Sequence, residues 1–101
     1  MLKFGNISNI DYAAGKARVK FNQDGIVSKY LPIMVRKTLN DKETFPYSVN
    51  EQVCCLMDEN AENGVILGSI YSKNIKPKGA GEGITAIEYE SGARFEYNKQ
   101  D

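Results

Sequence analysis

Histidine is absent from this sequence. Its absence removes the commonest general base and the commonest metal ligand, and with them most hydrolase templates and most zinc sites. Cysteine occurs only as one adjacent pair, Cys54-Cys55. Neighbours on a strand point to opposite faces, so the pair is no disulfide framework. It reads as free, partly buried thiols in a reducing cytoplasm, with a vicinal disulfide as the minor alternative. No apolar run is long enough to cross a membrane, and Met1-Leu2-Lys3-Phe4 carries no signal-peptide pattern. Neither sign of charge is in excess, with Lys+Arg 13 against Asp+Glu 13. Net charge therefore calls for no polyanionic partner. There is no internal repeat and no long stretch of helical period.

What is present is strand and turn signal, and the length fits one domain with one core. The centre of the chain is the stretch 49–72, VNEQVCCLMDENAENGVILGSIYS. Residues 52–57 and 65–71 read as two strands rich in β-branched and apolar side chains. The polar connection between them ends in Asn63-Gly64, a dipeptide suited to the positive φ of a reversal. A half-buried strand alternates between a greasy face and a wet one. Here Val53, Cys55 and Met57 form one face, yet Cys54 and Leu56 on the other are apolar too. In the second strand Val65 and Leu67 point one way, and Ile66 and Ile70 the other. Gly68 interrupts that second set, where another backbone could approach. The hairpin therefore needs cover on both sides, and a single core supplies only one.

Upstream, residues 2–11 predict a first strand. Leu2 and Phe4 share a face, and a bulge at Gly5-Asn6 restores register for Ile7. Gly15 closes the next turn. Residues 16–21 predict an alternating strand, with Ala17, Val19 and Phe21 inward and Lys16, Arg18 and Lys20 in water. Asp24-Gly25 marks a further turn. A third strand follows over 27–36, with Val27, Leu31, Ile33 and Val35 on one face. Pro32 cannot donate to a ladder, so this strand lies at an edge or bends there. Residues 37–50 form a long connection with an expected mobile tip and Phe45-Pro46-Tyr47 as an anchor. That anchor packs on its own barrel or meets a neighbour.

Residues 73–83 are rich in glycine and read as a linker. A second hairpin follows in residues 84–98. A three-residue loop, Glu90-Ser91-Gly92, pairs Ile87 with Phe95, Thr85 with Tyr97 and Tyr89 with Ala93. It gathers the apolar side chains on one face and puts Gly92 at the left-handed position. Such a hairpin is not stable alone in water, so its apolar face requires cover. The expected fold is all-β: a five-stranded antiparallel barrel of the oligonucleotide/oligosaccharide-binding (OB) type over 1–75, a linker over 76–83, and a β-hairpin over 84–101.

Several strand motifs resemble a known family. GNISNID at 5–11 followed by GKARVKF at 15–21 resembles the opening of phage baseplate assembly protein V. The same OB domain occurs in phage central spikes and VgrG-type spikes of type VI secretion systems. Leu31-Pro32 matches the family's third-strand Leu-Pro, and VNEQVCCLM at 49–57 resembles its Val-Gly-Glu-Gln-Val strand. NGVILGSIYS at 63–72 resembles its Gly-Val-Val-Leu-Gly-Ser-Leu-Tyr strand, the most specific match. The resemblance implies a non-enzymatic structural spike or hub protein without cofactors, acting in a homotrimer. Its partners would be tail tube or hub proteins, a spike-tip protein and, during injection, the target envelope. It would be made in the bacterial cytoplasm and reside in a virion tail, baseplate or secretion-system spike.

On this reading the terminal hairpin is the stub of a trimeric β-helix or prism, and the tip is another protein, or the spike is short or the chain trimmed. Asn50 stands where the family has glycine, a backbone region Asn tolerates. The His-bound metal of some family needles has no counterpart here. The expected intersubunit or needle contacts are Ile66, Gly68, Ile70 and Tyr71, with Ile87, Tyr89, Phe95 and Tyr97 in the appendage.

Other features read more plainly. Cys54-Cys55 lacks a second ligand cluster and reads as small core hydrophobes. The glycines at 79–83 lack the Lys and Ser/Thr of a phosphate-binding loop. The Lys16/Arg18/Lys20 stripe with Tyr12 and Tyr30 offers an alternative function, single-stranded nucleic-acid binding, against a solvated strand face; none is expected at zero net charge. Glu88, Glu90, Arg94 and Glu96 read as solubilising charges rather than an acid/base pair.

Overall fold

The computed structural model describes residues 1–36, 38–39, 42, 46–72, 75 and 79–98. It is all-β: β1 (Leu2–Asp11), β2 (Lys16–Phe21), β3 (Leu31–Pro32), β4 (Gln52–Met57), β5 (Gly64–Ser69), β6 (Ile84–Glu88) and β7 (Arg94–Asn98). The chain divides into two compact units, 1–70 and 71–101.

In the first unit the sheet order is β3-β2-β1-β4-β5, with all named neighbours antiparallel. The two ends of that sheet meet. Ile33 forms a parallel bridge with Ile66, and the Met34 N–H donates to the Ile66 carbonyl at 2.9 Å. The sheet is thus a nearly closed five-stranded barrel of the OB type. Its core comprises Ile7, Ala17, Val19, Phe21, Leu31, Val53, Cys55, Met57 and Ile66, with Ile10, Ile33 and Tyr47 packed against it.

The strands form where alternation dictates. In β2, Ala17, Val19 and Phe21 are buried, and Lys16 and Lys20 are exposed. In β4, Val53, Cys55 and Met57 are buried. The register of β1 differs from expectation. The bulge sits at Ser8, between Ile7 opposite Val19 and Asn9 opposite Arg18, and not at Gly5-Asn6. Gly5 and Ile7 therefore share the buried face, Leu2 and Phe4 point outward, and the bulge returns Ile10 to the core side. Gly5 is small for another reason: a Cβ there would collide with the Lys20 carbonyl oxygen and the Val19 side chain.

The third strand is also shorter than the pattern predicts, since only Leu31 and Pro32 pair as a strand with β2. Pro32 has no N–H to continue a ladder. Upstream of it, the ladder to β2 passes through an isolated Lys20–Val27 bridge and Ser28. Ser28 is the one polar residue in the core among those described. Its hydroxyl accepts the Val19 N–H at 3.0 Å and donates to the Lys29 carbonyl at 2.7 Å.

At the β4–β5 turn the positive φ belongs to Ala61 (57°) and not to Asn63 or Gly64. Gly64 instead permits close contact, because a Cβ would strike the Leu56 carbonyl oxygen and Met57 sulfur. The strand β5 ends at Ser69 rather than Tyr71, with a register shift at Cys54/Cys55 that leaves Leu67 unpaired. Near Gly68 lies the Tyr47 hydroxyl, 3.9 Å from where a Cβ would be, and not a neighbouring backbone. Asn50 has φ +76°, the left-handed conformation expected of it.

In the second unit, β6 and β7 pair Ile87 with Phe95 and Thr85 with Tyr97. The Tyr89 N–H donates to Ala93, and Gly92 takes φ +95°. The expected packing of Phe45 and most of the loop tip at 40–43 lie outside the described residues, as do much of the linker and the last three positions of the C-terminal segment.

Candidate functional site

The feature that stands out is apolar surface left over after each unit has folded. On the barrel it arises from strand parity. With Gly5, Ile7, Val53, Cys55 and Met57 inward, the alternate residues of β1 and β4 must face out. Leu2 lies directly opposite Leu56, and Phe4 opposite Cys54. Val65 extends the row from the other side of Leu56. Leu2 is 53 % exposed, Phe4 43 % and Leu56 49 %. Three neighbouring strands thus present one continuous apolar strip, of the kind that marks contact surfaces. At its margin an open cleft of about 300 Å³ is lined by Leu2, Lys3, Phe4, Phe21, Asn22 and Gln23. Lys3 sits 5.0 Å above the Phe21 ring and pairs with Asp24 at 3.2 Å.

The residues expected to make contacts fall into three groups. Ile66 is completely buried in the barrel's own core; its side chain is covered by its own chain and is not offered to another. Gly68 is half-buried, and Ile70 and Tyr71 are exposed beyond the end of β5. On the terminal hairpin, Ile87, Tyr89, Phe95 and Tyr97 share one face, and each is exposed, Phe95 by 70 %. The opposite face carries Arg94, paired with Glu88 at 3.3 Å and with Glu96 at 2.9 Å. The outward strip of Leu2, Phe4, Leu56 and Val65 was not among the expected contacts. Its signal lay in the sequence all the same: Leu2 and Phe4 alternate against Gly5 and Ile7 as Cys54 and Leu56 alternate against Val53 and Cys55.

Tyr47 anchors the long connection to the barrel. It packs on the core, and burial, followed by the nearby Glu51 carboxylate, raises its hydroxyl above the ordinary tyrosine value. Glu51 organises this corner by accepting the Ser48 N–H at 2.9 Å and the Ser69 hydroxyl. The Tyr12 hydroxyl donates to the Tyr47 carbonyl at 3.2 Å. Of the two thiols, Cys55 is buried and Cys54 only partly so. Burial pushes the Cys55 thiol up to about 11, with a smaller contribution from Cys54.

Of the basic stripe of β2, Arg18 is engaged locally. The Arg18 Nε donates to the Ser28 carbonyl at 2.9 Å, and its guanidinium lies 5.9 Å from the centre of the Tyr30 ring. One face of the Tyr30 ring is therefore already partly covered by Arg18. Among the described residues no group of three or more Cys, Asp or Glu is arranged to hold a metal ion, and no helix is long and apolar enough to cross a membrane. No protein-family model matches this chain, and no curated sequence matches it significantly.

Proposed function

We propose that this chain is a structural component of a contractile injection machine, such as a phage baseplate or secretion-system spike. In this reading three copies form a head between the tail tube and a membrane-piercing needle. Its work is mechanical: apolar strand faces buried between subunits stiffen the head so that load passes from tube to needle. Support comes from motif placement. The stretches GNISNID, GKARVKF, Leu-Pro, VNEQV and NGVILGS, which resemble the spike family, fall in sequence on the strands and turns of an OB-type barrel.

The observation that carries the proposal is uncovered apolar surface on both units: Leu2, Phe4 and Leu56 on the barrel, and Ile87, Tyr89, Phe95 and Tyr97 on the hairpin. At about 25 cal/mol per Å², several hundred Å² buried per subunit contributes roughly ten kcal/mol before association costs. A cyclic trimer hides such a face by heterologous contacts, each copy offering one patch to a different patch on the next.

A second reading, single-stranded nucleic-acid binding, is favoured by Lys16, Arg18 and Lys20 on one strand, with the Arg18 guanidinium 5.9 Å from the centre of the Tyr30 ring. Titration of a labelled oligonucleotide at low salt separates the two. The spike reading predicts no salt-sensitive binding, whereas steep, salt-dependent affinity supports the rival.

A further inference from the structure

We infer that Asn63 is a site of spontaneous covalent modification, at which its side-chain amide is converted to aspartate and isoaspartate through attack by the backbone nitrogen of Gly64. Asn63-Gly64 is the sole Asn-Gly step in the sequence. Four observations place the reaction here. Residue 64 is confined to glycine, because a Cβ would strike the Leu56 carbonyl oxygen and the Met57 sulfur, and glycine leaves the attacking nitrogen unhindered by a side chain.

That nitrogen is also turned away from β4. Asp58 donates its N–H to the Asn63 carbonyl at 2.9 Å, so these two residues form a hydrogen-bonded pair. Bonded and non-bonded pairs alternate along an antiparallel ladder. The next pair, Met57 with Gly64, is therefore non-bonded, and the Met57 N–H accordingly points to the Met1 carbonyl at 2.7 Å. The Asn63 side chain is exposed to water. Among the described residues its side chain makes one hydrogen bond, a long one of 3.4 Å from Nδ2 to Asp58 Oδ2.

The chemistry balances with water alone. The Gly64 nitrogen, losing its proton, bonds to Asn63 Cγ; the Cγ–Nδ2 bond breaks and ammonia leaves, closing a five-membered succinimide. Water then opens the ring. Opening at Cγ gives aspartate, and opening at the former backbone carbonyl gives isoaspartate, whose main chain runs through the side-chain carbon. Either product sets a second carboxylate against Asp58. Isoaspartate also lengthens the backbone at the residue whose carbonyl holds Asp58.

Asp58 is the brake. Its carboxylate accepts the Glu62 N–H at 3.0 Å as well as the Asn63 amide, and the bond to the amide must be released as Nδ2 departs. The test is incubation of the folded full chain in mildly alkaline buffer, followed by peptide mapping with mass spectrometry and isoaspartate detection. The expected result is amide loss at Asn63, yielding two isomeric acidic peptides, ahead of loss at every other asparagine. It is abolished in Asn63→Gln and faster in Asp58→Ala. Asn63 retaining its amide while another asparagine converts overturns the inference. So does a folded chain that stays intact while a free peptide of residues 58–68 converts under the same conditions.

Discussion

Ile66 and Leu56 are close neighbours on adjacent strands and have opposite roles. Ile66 is enclosed by its own barrel, so Ile66→Ala should lower the unfolding free energy of the chain by about 2–5 kcal/mol, read from urea denaturation. Ser28 is the polar counterpart. Its hydroxyl satisfies the Val19 N–H inside the core, and Ser28→Ala leaves that donor buried without a partner, at a cost of about 1–3 kcal/mol. Asn50 occupies the left-handed region at φ +76°. Asn50→Gly should leave stability nearly unchanged, while Asn50→Val costs about 1–2 kcal/mol. At Cys55 the pH dependence follows from burial. The folded thiol titrates at about 11, against an ordinary 9.0. Its contribution to stability is complete below the unfolded value and declines as pH rises through that window, because the unfolded chain ionises first. Thiol labelling of the native protein should accordingly modify Cys54 well before Cys55, and reversal of that order would contradict the packing described.

Among the elements, β2, β4 and the β6–β7 register were legible because each rests on one rule applied over a few residues. Strict alternation places Ala17, Val19 and Phe21 together, and the loop Glu90-Ser91-Gly92 admits one register that gathers the apolar side chains. The parity of β1 was not legible. Either Leu2 and Phe4 or Gly5 and Ile7 could face inward, and the choice depends on Val19 and the Lys20 backbone, which approach Gly5 too closely for a side chain. The shortness of β3 was half visible in Pro32, but nothing local announced that Ser28 would stand in for strand pairing. The φ of Ala61 ran against propensity; the close pairing of β4 and β5 reserves Gly64 for a tight contact, so the reversal falls elsewhere in the loop. The terminal hairpin has no buried core of its own among the described residues, every described apolar residue on its pairing face being exposed. A synthetic peptide of residues 84–98 should therefore remain unstructured in water by circular dichroism. A cooperative thermal transition would show that it needs no partner.

For the whole molecule the outward strip and the hairpin face converge on one expectation: stability of the chain and the proposed self-association are separable. Leu56→Glu places charge on the outer side of β4 without touching the core, so it should preserve the far-ultraviolet spectrum while abolishing the proposed association. Ile66→Ala should weaken folding first. The most direct measurement is the mass in solution by light scattering, over a range of concentrations, for the full chain and for the chain ending before Ile84. Three copies are expected for the full chain, with weaker association once the hairpin is removed. A well-folded single copy at high concentration, unchanged by loss of the hairpin, would contradict this expectation.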